Sequence, residues 1–371
     1  MVRILDLYSG VGGLSLGFAL AIDGAEIVGL DIDRDAVEAY NLNLNRFGAR
    51  SYVQDVLVWE PEGDYDIVVG GSPCQPFSTA NSRKPGDKHP LFPTFPRFFD
   101  VVLALKPKAF LLENVKGLTM RRYRHYLEQQ VARVAGDYIV EWRVLNAVDY
   151  GVPQRRERLI IIGVRRDVGA KPLFPEPTHG ERESVRLDGR RIHRWVTMME
   201  AIGDLLAELS SDELKLVLMS REQVERIRRE RENPLHKHWG KMTFPDRLDA
   251  PSRTISSHTI GGTKRETIVV PVVPYATGRV DPATDFEEGY YRRLTVRECL
   301  RLQSFPDWWR FPDSVSISKR YKLVGEAVPP ILAYRLALAI AKTLGLKTRV
   351  PPRKEEWQLP YFERAFADIL L

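Results

Sequence analysis

Cys74 is one of only two cysteines in the chain, and it sits in Gly70-Gly71-Ser72-Pro73-Cys74-Gln75-Pro76-Phe77-Ser78. A thiol is the best nucleophile among the side chains once its pKa is lowered. A free cysteine is more often a small buried hydrophobe, but the polar, turn-forming flanks here favour presentation over packing. A second reactive group follows the apolar run Ala109-Phe110-Leu111-Leu112, which leads into Glu113-Asn114-Val115. A nucleophile and an acid are the pair required for covalent attack on a ring whose nitrogen must gain a proton or a strong hydrogen bond. The third group is Gln154-Arg155-Arg156-Glu157-Arg158-Leu159. On a strand of period two, Gln154, Arg156 and Arg158 share one face and offer donors to a planar polar substrate and its phosphate. The plainer alternative is an arginine ladder on an exposed edge strand.

The elements that would position these groups read as alternating strands and helices. Tyr65 to Val69 is a buried strand candidate that delivers Cys74 to the carboxyl edge of a sheet, where open α/β folds place their sites. The strand before Glu113 is its parallel neighbour, so the two strand ends can meet. Residues 2–7 form the first strand and run into Ser9-Gly10-Val11-Gly12-Gly13, a glycine turn that lets a ligand approach the backbone. A helix from Leu14 to Ile22 and a strand from Glu26 to Leu30 then end at Asp31-Ile32-Asp33. An acid about twenty residues after the glycine turn is placed to accept from a ribose. A helix from Ala36 to Leu44 precedes Asp55, which either meets an adenine amino group or caps a helix. Residues 79–90 form a polar loop beside the site, with Arg83, Lys84 and Lys88 within reach of phosphates.

Helices Phe95–Leu105 and Arg121–Val134 and a strand Tyr138–Leu145 continue the pattern. After Arg166 the regularity fades, and three prolines in residues 171–190 suggest a crossing into a second domain. A helix is expected over Met198–Leu209. The arginine-rich stretch Arg221–Arg231 reads equally as a nucleic-acid contact or a solvated helix face. His236–Lys241, Ser252–Ser256, a Gly261-Gly262 turn and a β-rich Glu266–Pro274 segment suit a groove-reading surface. A short helix at Thr295–Leu302 restores order. The apolar helix Ile331–Leu344 packs on the first sheet, so the chain returns to its first domain. Residues 346–371 form a tail that Trp357, Tyr361, Phe362 and Phe366 would dock.

Composition sets bounds on these readings. Hydrophobic residues make up 44% and charged residues 28%, as expected of a folded soluble protein with a full core. Two cysteines make no disulfide framework, and no closely spaced Cys/His set suggests a metal, so a reducing cytoplasmic setting is expected. The N-terminus has no leader pattern, and no run approaches 18 uninterrupted apolar residues, leaving no basis for a membrane span. A formal charge of +6 permits a polyanionic partner without requiring one.

Seven segments, taken in order, make the chain resemble the DNA (cytosine-5) methyltransferases: DLYSGVGGLSLGF, LDIDRDAVEAY, GGSPCQPFS, LLENVKG, QRRERL, RRLTVRECLRLQSFP and GEAVPP. The resemblance implies an α/β S-adenosylmethionine-dependent methyltransferase (Rossmann-like) fold with a second, smaller target-recognition domain. The catalytic domain would comprise residues 1–170 and 310–345, the recognition domain with its hinge residues 171–309, and the tail residues 346–371. It implies methyl transfer from S-adenosyl-L-methionine to C5 of a flipped cytosine in duplex DNA, without a metal. Cys74 would add to C6, Glu113 would contact N3 and the exocyclic amine, and Arg156 and Arg158 would support the nucleotide with Gln154 nearby. Tyr8, Gly10, Val11, Gly12, Gly13, Leu14, Asp31, Ile32, Asp55, Val56, Pro73, Leu91, Glu326, Ala327 and Val328 would line the cofactor pocket. A monomer acting beside a cognate restriction endonuclease is expected. One position departs from the family pattern: Glu326 stands where Asn is usual. Ionised Glu cannot donate as Asn does; it can pair with the sulfonium or the amino group of the cofactor, or turn outward. The rival readings are an RNA (tRNA) cytosine-5 methyltransferase using the same chemistry and a catalytically silent DNA-binding protein.

Overall fold

The computed structural model describes residues 1–78, 86–207, 209–232, 244–256, 267–272 and 291–370. Aliphatic runs that alternate between two buried faces build its central sheet. The strands are β1 (Val2–Leu7), β2 (Ala25–Asp31), β3 (Ala49–Val53), β4 (Ile67–Gly71), β5 (Ala109–Val115), β6 (Tyr138–Asn146) and β7 (Glu157–Arg165), in the order β3-β2-β1-β4-β5-β7-β6. Pairing is parallel from β3 through to β5, and β7 runs antiparallel to both β5 and β6.

The period of two decides which residues face which layer. Ile4, Ile67, Val69, Leu111, Ile160 and Ile162 join one apolar cluster, while Leu5, Val68, Phe110, Leu112, Leu159 and Ile161 join the other. The first face is covered by α1 (Gly13–Ala21), α2 (Arg34–Leu44) and, from far along the chain, α10 (Pro330–Leu344), which lies along α1. The second is covered by α3 (Thr94–Leu105) and α4 (Arg124–Val134), with Phe95, Phe98, Phe99, Phe110 and Tyr138 meeting edge to face. The stretch Ile317–Leu344 is long and apolar enough by composition to cross a membrane, but it is mostly buried within this core.

The middle of the chain adds α5 (Met198–Ile202), α6 (Ser211–Val217), α7 (Arg221–Glu232) and short strands β8 (His179–Gly180), β9 (Ser184–Val185), β10 (Arg191–Arg194), β11 (Val269–Pro271) and β12 (Tyr291–Arg293). The expected helix from Met198 stops at Ile202. Leu205 and Leu206 are still buried, in a short 3-10 turn (Leu205–Ala207), so apolar spacing persists beyond the α-helix. Part of this segment shares the main core through Val196, Ile202, Ile255 and Leu294. A separate cluster of Met219, Val224, Ile227, Val269 and Tyr291 holds α7 to β11 and β12.

Along α7, Arg221 pairs with Glu225, Arg226 with Glu230 and Arg228 with Glu232, each four residues apart, and Arg231 is buried on Asp246 at 2.9 Å. Those pairs make α7 a salt-bridged helix face with its arginines partly exposed, which is compatible with both readings. The expected features at His236–Lys241 and Gly261-Gly262, together with Arg83 and Lys84, lie outside the described residues.

The chain resumes order with α8 (Val296–Leu302), which Thr295 opens with a capping box onto Glu298, and α9 (Ile317–Glu326). The tail docks as its aromatic residues suggested. Trp357, Tyr361, Phe362 and Phe366 are all buried, and Trp357 and Phe366 contact Tyr334 of α10. Arg335 adds an ion pair to Asp368 at 2.6 Å.

Candidate active site

The register of β4 on β5 brings the chemistry together. Gly71 pairs with Glu113, so the loop leaving β4 with Cys74 emerges beside that carboxylate. A side chain at Gly71 would come within 3.3 Å of Glu113 Oε2, so the bare backbone leaves that oxygen room. Glu113 Oε1 forms an ion pair with Arg158 Nε at 2.8 Å, and both side chains are about nine-tenths buried. Arg158 gets there from the antiparallel neighbour, since Val115 of β5 pairs with Arg158.

Asn114, fully buried, turns the next position into a tether. Its Nδ2 donates to Ser72 O at 3.1 Å and to Ser72 Oγ at 2.9 Å, and its Oδ1 accepts from Val115 N at 2.8 Å. Sequence reasoning passed over this residue, although it stands next to Glu113 in the same short segment. On the far side of Cys74, Phe77 anchors the loop among Phe92, Phe95, Tyr123 and Tyr126. Gly117 packs under it so closely that a Cβ would meet Phe77 O at 2.1 Å. Cys74 itself is half-buried. Burial pushes its thiol above the ordinary range and Glu113 adds to this, while Arg158 and Arg156 pull it back.

Gln154 and Arg156 do not share an open strand face with Arg158. β7 begins only at Glu157, and Gln154 instead bridges to Ser252 of the middle segment. Gln154 is fully buried, donating to Gln303 Oε1 at 2.8 Å and Leu302 O at 3.2 Å, and accepting from Ile255 N at 2.9 Å. Arg156 donates to Ile255 O at 2.9 Å and to Gly325 O and Ala327 O at 3.0 Å each. Burial, with repulsion from Arg158, pulls its guanidinium down to about 9, which leaves it charged at neutral pH. Gln303, a second residue the sequence did not single out, donates to Val324 O at 2.7 Å and Ala327 O at 3.2 Å. These three side chains therefore tie the middle segment and the end of α9 to the start of β7.

The glycine turn meets this hub at Val328. Gly12 has φ +89, a conformation that disfavours any side chain, and a Cβ at Gly13 would fall 2.1 Å from Val328 O. Above Gly10 nothing lies within 4 Å of where a Cβ would stand, which leaves an open backbone cradle. Asp31 accepts from Gly10 N at 2.7 Å and from Asp33 N at 2.8 Å, so it shapes the turn. Burial pushes its carboxyl up, and those two backbone bonds oppose the rise. Ile32 is 68% exposed next to it. Asp55 uses one oxygen on Leu57 N at 2.9 Å, Val56 is buried, and Leu91 is partly exposed. Tyr8 is fixed by its hydroxyl donating to Thr94 O at 2.8 Å. Val11 and Leu14 are core residues behind the turn.

A model of the C-5 cytosine-specific DNA methylases matches residues 2–342. The chain belongs to that family. It is accordingly a DNA (cytosine-5) methyltransferase that uses S-adenosylmethionine. The DNA methyltransferase is 31% identical to the type II methyltransferase M.BspRI of Lysinibacillus sphaericus over 381 residues, covering 92% of this chain and 81% of that one. It is 34% identical to the type II methyltransferase M.MthTI of Methanothermobacter thermautotrophicus, covering 92% and 97%. The methyltransferase EhMeth of Entamoeba histolytica shares the fold at a TM-score of 0.65, with 14% identity over 93% of this chain and 99% of that one. The S. pombe Dnmt2 methyltransferase does so at 0.64, with 18% identity and the same coverage. The open cradle at Gly10, the carboxylate of Asp31 and the exposed face of Ile32 fit a nucleoside cofactor.

Proposed function

We propose that methyl transfer proceeds through a covalent adduct between Cys74 and C6 of an extruded cytosine, with Glu113 as the group that meets N3 and the exocyclic amine. The reading rests chiefly on the Gly71–Glu113 register, which sets the cysteine loop beside a carboxylate held by Arg158. C5 of cytosine is a poor nucleophile while the ring is aromatic. A bond from the Cys74 sulfur to C6 breaks the aromaticity and moves an electron pair toward C5. A proton carried by Glu113 to N3 offsets the charge that develops there, and Arg158 holds the carboxyl group in position. S-adenosylmethionine, when bound, supplies the electrophilic methyl group. Loss of the C5 proton to a base then restores the double bond as the carbon–sulfur bond breaks and the thiolate leaves.

Access to C6 requires the base to leave the duplex stack, at a cost of a few kcal/mol. The middle segment, residues 171–309, is the part proposed to grip DNA and offset that cost. Arg156 and Gln154 act as positioning residues in this scheme, because their polar groups point to protein carbonyls and amides. For the cofactor, Asp31 holds the ribose hydroxyls and Ile32 covers the adenine face. Asp55 meets the adenine amino group, and Tyr8, Gly10, Gly12, Gly13, Val56, Pro73, Leu91, Ala327 and Val328 complete the wall. The enzyme is proposed to work as a cytoplasmic monomer that shields DNA from a cognate restriction endonuclease.

The test is transfer of tritiated methyl to duplex DNA and, in parallel, to transfer RNA, with bisulfite sequencing of the methylated DNA. Label on duplex DNA within one sequence context, with single-turnover rates much reduced in Glu113→Gln, is the expected result. Label on transfer RNA alone, or an unchanged rate in Glu113→Gln, contradicts the proposal.

A further inference from the structure

The last residue of α9, Glu326, is held in place from several sides. The carbonyls around it are fixed: Val324 O and Ala327 O accept from Gln303, and Gly325 O and Ala327 O accept from Arg156. Two residues on, Val328 O closes on the glycine turn at Gly13, and Val328 Cγ2 lies 4.0 Å from the Cβ position of Gly71 on the cysteine strand. The backbone segment that carries Glu326 therefore runs between the turn that cradles the nucleoside and the strand that carries the nucleophile.

The charges around this carboxylate define what it can serve. Burial pushes its carboxyl above the ordinary range and Lys322 opposes the rise, while Asp33 and Asp31 add to it. Lys319 is committed to Asp33, and Lys322 Nζ stands 3.9 Å away, beyond hydrogen-bond distance and about half exposed. A residue on the backbone that joins the nucleoside turn to the nucleophile strand lies beside the cleft in which the methyl group travels. A carboxylate there repels DNA phosphate and gains little from a neutral pyrimidine. Among the reactants, the sulfonium carries a positive charge at the point of transfer, and the product sulfur carries none.

We propose that Glu326 is a charge-selective binding residue whose carboxylate favours S-adenosylmethionine over S-adenosylhomocysteine through the sulfonium charge. This inference rests on the cofactor placement given above. The rival role, pairing with the α-ammonium group, is common to both ligands and gives no preference.

Calorimetric titration of the full-length protein with each ligand distinguishes these cases, with wild type, Glu326→Gln and Glu326→Asp compared at neutral pH. Wild type binds S-adenosylmethionine more tightly. Glu326→Gln lowers that preference by about tenfold, as expected for a half-screened charge pair, and leaves S-adenosylhomocysteine affinity within about twofold. Glu326→Asp retains most of the preference. An equal loss for both ligands, or an unchanged ratio in Glu326→Gln, overturns the proposal. A second measurement uses wild type alone, so it does not depend on a variant folding. An analogue bearing an ammonium group in place of the sulfonium binds more tightly than S-adenosylhomocysteine, and equal binding overturns the proposal. If wild type binds none of the three ligands, the cofactor placement itself fails, and the inference falls with it.

Discussion

Replacing Asn114 with alanine separates positioning from folding at the nucleophile. The side chain is fully buried and makes three hydrogen bonds, two to Ser72 and one to the Val115 amide. Truncation leaves Ser72 O and Val115 N without that partner in a region closed to water. Each buried polar group left unsatisfied costs about 1–3 kcal/mol. Ser72 Oγ loses only a donor and keeps its own O–H to donate elsewhere, so we expect a net loss of about 3 kcal/mol in unfolding free energy. Ser72 is also two residues from Cys74. With its tether gone, the Pro73–Cys74 turn is free to shift, and misplacement by about 1 Å costs on the order of 100-fold in rate. The assay pairs urea unfolding with single-turnover methyl transfer at saturating DNA and S-adenosylmethionine. The expected result is a drop in both, with the affinity for S-adenosylmethionine falling less than the rate because Pro73 is the one residue of the proposed cofactor wall on the freed turn. A variant that loses stability but turns over within about twofold of wild type would show that Asn114 only supports the fold.

Other residues give independent tests. Burial pushes the Asp6 carboxyl up to about 7, with Ser15 Oγ donating to it at 2.6 Å. Because its folded pKa is raised, the stability tied to Asp6 is fully present below about pH 4 and is lost as pH rises toward 7. Asp6→Asn should therefore flatten the fall in stability across that window, by at most about 4 kcal/mol; an unchanged pH profile would show that Asp6 ionises freely. Trp357→Ala, in the docked tail, should cost about 3–5 kcal/mol, since the ring is wholly buried against Tyr334 and Phe366. A thermal midpoint equal to wild type would mean the tail is dispensable. With the Cys74 thiol raised by burial, alkylation of the free enzyme by iodoacetamide should keep accelerating above pH 9. Cys299 is fully buried and should stay unlabelled; a rate that levels off near neutrality would contradict the raised thiol.

Local pattern carried much of the fold. The glycine turn after β1, the acid after β2 and the apolar runs of β4 and β5 are features of neighbouring residues, and their element ends fell within a few positions of those expected. Cys74 and Glu113 were legible together because two adjacent strands must end at one sheet edge. Gln154 and Arg156 were not legible in the same way. Their partners, Ser252, Ile255, Gln303 and Gly325, lie about 100 or more positions on, and nothing in QRRERL reveals that the strand starts only at Glu157. The helix expected from Met198 fails for a different reason: Leu205 and Leu206 are buried by tertiary contact, so apolar spacing outlasts the helix. Asp31 was expected just past a strand ending at Leu30 and is instead the last residue of β2, and its bond to Gly10 N depends on the folded turn.

The covalent step is most directly tested by incubating the enzyme with S-adenosylmethionine and duplex DNA carrying 5-fluorocytosine at the target position. Fluorine cannot leave as a proton does, so an adduct formed at C6 persists. The account predicts a denaturation-resistant protein–DNA complex whose crosslinked peptide contains Cys74, absent in Cys74→Ala. Methylation of ordinary cytosine DNA with no trapped complex, or a crosslink to any residue other than Cys74, would contradict it.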